Sequence, residues 1–186
     1  MVFGITEIVE IAVTILAVGY IFSGFLKKPR YEFELDYDKR FFDWEDIKYS
    51  ALITAPAVIF HELAHKFVAL SFGYQAVYHA SYFGLALGAF LRMMSSSFIF
   101  FIPGYVSILG NGSPGTFGLV ALAGPLTNLA LFGLAHYALE KDLFPKYGRI
   151  LFLTKKINMW LFIFNMLPIP GFDGFKVYSG FAQTIF

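Results

Sequence analysis

The stretch FHELAHKFVAL, residues 60–70, sets two histidines and a glutamate inside a run that otherwise reads as a membrane helix. Ionisable groups at membrane depth are costly, and where they occur they face a protein interior or a polar cavity and serve a function. HELAH has the form H-E-x-x-H. On a helix, positions i and i+4 share a face, so His61 and His65 can aim ring nitrogens at one zinc ion. Glu62 beside them can then take a proton from a metal-activated water. The bland alternative is a polar cluster that hydrogen-bonds between helices.

Composition agrees with a membrane setting. Hydrophobic residues make up 58% of the 186 positions and charged residues 15%, with mean hydropathy +0.65. A soluble domain carries about 25% charged residues. The net charge of +1 gives no case for a nucleic-acid partner. The chain has no cysteine, so disulfides and thiolate metal sites are excluded and any metal must be held by His, Asp or Glu.

Outward from the motif, residues 48–72 form the span that carries it. Residues 8–26 are long and apolar enough for another, since a crossing takes about 20 residues. The N-terminus lacks a basic leader and a small-residue cleavage pattern, so it is expected to be a retained helix. Residues 27–47 are the strongly charged region, and within them YEFELDYD (31–38) alternates apolar and acidic side chains, as a surface strand or a solvated loop would. Residues 84–109 are apolar but broken by Arg92, the serine run 95–97, Pro103 and the internal glycines Gly88 and Gly104. GNGSPG (110–115) is a loop by its turn residues. Residues 117–139 form a further span containing AGPLTNL. Residues 140–156 are polar, and 157–168 start a last span that runs into LPIPGFDG, where prolines and glycines must break the helix.

A catalytic zinc takes three protein ligands and keeps a position for water. Asp173 is the leading third ligand, because it lies in apolar surroundings just after a helix break. His79, His136 and the acidic loop are its rivals. Pro-Gly-x-Asp-Gly is also good turn chemistry, so Asp173 reads equally well as a turn residue.

HELAH, then AGPLTN, then NMLPIPGFDG, in that order, resembles the site-2 protease family of intramembrane zinc metalloproteases, over a core of about 48–176. The resemblance implies that His61, His65 and Asp173, which with Gly174 forms the late Asp-Gly pair, bind one Zn2+ per chain and that Glu62 is the catalytic base. The family's Gly-Pro-x-x-Asn element matches Gly124, Pro125 and Asn128, and its Asn-x-x-Pro element matches Asn165 and Pro168. An amide at Asn165 or Asn128 could hold a substrate backbone or steady a developing oxyanion. The bland reading of both is interhelical glue. Gly124 reads as a close-packing position. The length leaves no room for the PDZ or CBS modules of larger members.

The expected fold is thus an all-α polytopic membrane protein, a single membrane-embedded domain over 1–186. It would have about four clear transmembrane helices, a re-entrant or hairpin segment, and short membrane-associated strands. For His61, His65 and Asp173 to meet at one depth, their two segments must run in the same direction. Residues 84–109 must then cross an even number of times, and AVYHASYF (76–83) before them could form one edge of a small sheet. The positive-inside rule would place loops 27–47 and 140–156 in the cytoplasm. The family arrangement places them outside, and that arrangement is the one adopted. The expected partners are the lipid bilayer and a membrane-spanning helix as substrate, in a multi-pass protein of the cell membrane. A membrane-tethered zincin cutting extramembrane chains, or a non-enzymatic metal-binding membrane protein, are the other readings of the same residues.

Overall fold

The computed structural model describes residues 2–29, 42–96 and 102–185. The alternating stretch 31–38 lies outside them. Helices dominate: α1 (Ile5–Phe22), α2 (Trp44–Ser71), α3 (Tyr82–Met93), α4 (Pro114–Glu140), α5 (Gly148–Asn165) and α6 (Asp173–Ile185). Two strands, β1 (Gln75–Ala80) and β2 (Gly104–Leu109), pair as a two-stranded sheet.

Among the described residues, α1, α2 and α4 are long and apolar enough to cross a membrane. At 28 residues, α2 is about 42 Å long. The fourth expected crossing, 157–168, instead overlaps the second half of α5, an 18-residue helix that carries Arg149, Lys155 and Lys156, begins at Gly148 and ends at Asn165. The stretch expected as a polar loop, 140–156, is therefore helical over its second half. Lysine and arginine are good helix formers, and their charge does not break a helix.

The chain forms two compact units. The first holds Met1–Pro56 and His79–Tyr105. Here α1 starts with Glu7 accepting the Gly4 N–H at 2.9 Å, a side-chain cap for a first turn that has no internal partners. Val18 and Ile21 of α1 pack on Ala80 and Leu85. Glu10 accepts the Ala80 N–H at 2.9 Å, which ties the end of β1 to α1. At 12 residues, α3 is about 18 Å long, too short to cross alone. The Ser81 N–H donates to the Pro103 carbonyl at 3.1 Å, so the chain leaves the sheet at the end of β1 and returns to it at the start of β2. The two strands therefore run antiparallel; residues 97–101 of the segment expected to form a re-entrant or hairpin crossing lie outside the described residues.

The second unit holds Ala57–Tyr78 and Val106–Phe186. Helix α4 packs against both α5 and α6. Its start is fixed by Ser113, whose hydroxyl accepts the Thr116 N–H at 3.2 Å, with Pro114 in the first turn where no N–H is needed. Ala69, Ala76 and Val120 form its apolar cluster. The broken segment after α5 folds back tightly. A Cβ on Gly174 would meet the Met166 and Leu167 backbone at 2.5–2.7 Å, so only glycine lets α6 begin there. Tyr178 Oη donates to the Met166 carbonyl at 3.1 Å and holds the same turn one step further on.

Candidate metal centre

Helix α2 presents His61 and His65 on one face, as the i, i+4 spacing requires. Their rings lie edge to face with centroids 4.8 Å apart. Asp173, the first residue of α6, is brought to them by the tight turn that Gly174 permits. His61 Nε2 and Asp173 Oδ2 are 2.9 Å apart, His65 Nε2 and Asp173 Oδ2 3.2 Å, and the two Nε2 atoms 3.1 Å. All three side chains are largely buried, with 8%, 9% and 14% exposure.

The far nitrogens of both rings are committed. His65 Nδ1 lies 2.8 Å from the Val120 carbonyl, and His61 Nδ1 lies 2.6 Å from Asn128 Oδ1. A carbonyl oxygen only accepts, so His65 carries its proton on Nδ1 and offers a lone pair at Nε2. The Asn128 amide reaches the same result for His61. Its nitrogen donates to the Ala57 carbonyl at 2.9 Å, which leaves the amide oxygen facing the imidazole. Two lone pairs and a carboxylate oxygen thus converge within about 3 Å. Such a set repels itself unless a cation lies among them, and a proton on one ring would satisfy only part of it. Zinc bonds of about 2.0–2.2 Å in a tetrahedron separate ligand atoms by about 3.3 Å. The observed triangle fits zinc, and the hydrogen bonds behind each ring are those that orient histidine ligands.

The remaining sequence candidates fall into place around this triangle. Glu62, next to His61 and half-buried, lies within electrostatic range of Asp173 and Lys176. Gly124 faces the rings directly: a Cβ there would sit 2.6 Å from His61 Nε2 and closer still to His65 Nε2. Its close approach is thus to the two histidines. Pro125 is fully buried and has no N–H, so the α4 ladder lacks the bond to the Ala121 carbonyl, one residue beyond the Val120 carbonyl that faces His65. Asn128 is fully buried behind His61. Asn165 ends α5, half-buried, and takes no part in the hydrogen bonds to the histidines. Pro168 lies exposed in the turn before Asp173.

Of the rival third ligands, the acidic loop 31–38 lies outside the described residues, and the two histidines have other partners. His79 Nδ1 is 3.5 Å from Glu10, and His136 sits between Lys155 at 3.0 Å and Glu140 at 3.4 Å. Among the described residues, His61, His65 and Asp173 are the group of metal-ligating side chains that converges. Sequence reasoning passed over Asn158, a fully buried amide on α5 that bonds to Asn128 at 2.9 Å. A polar residue within an apolar helical run was the available signal.

The chain is 35% identical over 176 residues to a protein of Methanocaldococcus jannaschii named "Putative zinc metalloprotease". The match covers 92% of this chain and 82% of that protein. No family model and no solved structure matches the chain.

Proposed function

The chain belongs to the zinc metalloprotease family of this archaeal relative, and from that premise we propose that it cuts peptide bonds inside the membrane, within the spanning segments of other membrane proteins. The observation that carries the proposal is the position of the three converging acceptors. His61 lies seventeen residues after Trp44 and ten before Ser71, in the interior of a helix longer than a bilayer crossing needs. A tethered enzyme acting on soluble chains would need this centre at the water interface.

In this proposal His61, His65 and Asp173 hold one zinc ion per chain, which would acidify a water molecule and polarise the scissile carbonyl. Glu62 would be the base that takes the proton of the attacking water and returns it to the leaving amine. Asn128 keeps the His61 lone pair directed at the centre. Asn165, at the end of α5, binds the substrate backbone in this reading. A helical substrate hides its carbonyls in its own hydrogen bonds, so it must unwind locally before cleavage. Its chemistry is therefore a membrane-spanning segment with weak helix formers near the cut. The multi-pass placement in a cell membrane belongs to the same proposal.

The test is zinc content and cleavage on the purified chain, wild type beside Asp173→Ala. About one zinc per chain in the wild type, lost in the variant, is expected, together with cleavage of a reporter helix reconstituted in the same vesicles. Equal zinc retention in Asp173→Ala would sink the ligand set. Cleavage confined to soluble chains would sink the intramembrane assignment.

A further inference from the structure

Behind His61 stands a line of two amides on two further helices. Asn158 Nδ2 donates to the Thr154 carbonyl at 2.9 Å. Asn158 Oδ1 accepts from Asn128 Nδ2 at 2.9 Å, and Asn128 Oδ1 faces His61 Nδ1 at 2.6 Å. Both amides are 0% exposed, so no water competes for these groups. The polarity of the line is set at two points by backbone carbonyls, those of Thr154 and Ala57, which can only accept.

From this geometry we infer that Asn158 is a positioning residue for the metal centre, acting through Asn128 to keep the His61 proton on Nδ1 and its lone pair on Nε2. The inference rests on the zinc reading above. Its physical content is the cost of turning one amide over. A flipped Asn128 would aim Nδ2 at His61 Nδ1, drive the ring proton to Nε2 and remove a metal-binding lone pair. The same flip would press the Asn128 oxygen against two acceptors, Ala57 O and Asn158 Oδ1. Without Asn158 only the first repulsion remains, and the wrong orientation becomes accessible. Buried polar groups left with mismatched partners are expensive at low dielectric, so the second acceptor matters more here than it would at a surface. The line also gives α5 a role at the centre: it supplies no ligand, yet it fixes the direction in which one ligand points.

The experiment measures zinc affinity of the full chain in detergent micelles by competition with a chelating dye, with 15N shifts of His61 as a second readout. Asn158→Leu keeps the volume and removes the acceptor. It is expected to raise the zinc dissociation constant about 10-fold, the scale of outer-shell effects on bound metals, and to populate the Nε2-protonated ring in the metal-free protein. Asn158→Asp, as the neutral acid, keeps an oxygen toward Asn128 and an O–H toward the Thr154 carbonyl, and is expected to stay within about threefold of wild type. In an Asn128→Leu background, Asn158→Leu is expected to add nothing, because its effect passes through Asn128. Wild-type affinity in Asn158→Leu with an unchanged His61 tautomer would overturn the inference, and so would full additivity in the double variant. A wild-type chain that binds no zinc would instead overturn the metal reading itself.

Discussion

At Gly124 a single hydrogen separates helix α4 from two imidazole nitrogens. A methyl group there would enter the space where the His61 and His65 lone pairs meet. Gly124→Ala is therefore expected to weaken zinc binding by at least about 10-fold while leaving the helix itself intact, as a chelator titration beside a circular-dichroism spectrum would register. Glu62→Gln should do the reverse. It keeps the ligands and removes the base, so zinc content should match wild type while the cleavage rate drops about 100-fold to 10,000-fold. Loss of zinc in that variant would mean that Glu62 helps hold the metal. That the two histidines meet on one face was legible from spacing alone, because i, i+4 geometry follows directly from the helix. Asp173 was not. Its turn chemistry and its ligand chemistry read alike until the resemblance was added, since its partners lie 108 and 112 positions away. Asn158 was illegible for a similar reason: an amide declares that it needs partners, without saying which.

Elements were read well where hydrophobicity decides and less well where charge misleads. Spans expected at 8–26, 48–72 and 117–139 appear as α1, α2 and α4 with ends shifted by up to four residues, the usual scatter where caps rather than hydropathy set the boundary. Helix α5 was read too short because its basic residues suggested a loop. Long cationic side chains can lay their stems along apolar surface and keep their heads in water. The strand expected around AVYHASYF is present as β1, and among the described residues its only partner is β2. Such a sheet offers an edge on which an unwound substrate could lie as an added strand. Ser81 pairs with Pro103, so the odd-numbered N–H groups of both strands face the partner and the even-numbered ones face outward, as the Ala80 N–H does toward Glu10. Proline at Ala76 and at Val106, tested separately, should each remove an outward-facing backbone donor. A lost hydrogen bond of about 0.5–1.5 kcal/mol would lower cleavage roughly threefold to tenfold at the strand that docks substrate, with zinc content unchanged. Undiminished cleavage in both variants would exclude strand docking at this sheet.

For the whole molecule, the metal is expected to contribute stability as well as chemistry. A ligand that binds only the folded state adds about 2.7 kcal/mol at a hundredfold excess over its dissociation constant. Zinc should therefore raise the unfolding temperature of the purified chain in detergent, and a strong chelator should lower it and abolish cleavage until zinc is returned. An unfolding temperature indifferent to both would argue against a metal shared between α2 and α6.

The distance along the chain between the histidines and Asp173 also has a meaning in time. His65 is made 108 residues before the carboxylate that joins it. At about 5–20 residues per second, the ribosome takes roughly 5–20 s to supply that last group. Throughout this interval the growing chain carries HELAH without the carboxylate that would complete its metal-binding set. On the proposed reading, a chain built in this order would stay inert among its unfinished neighbours and would become able to cut only once the turn before α6 has been synthesised.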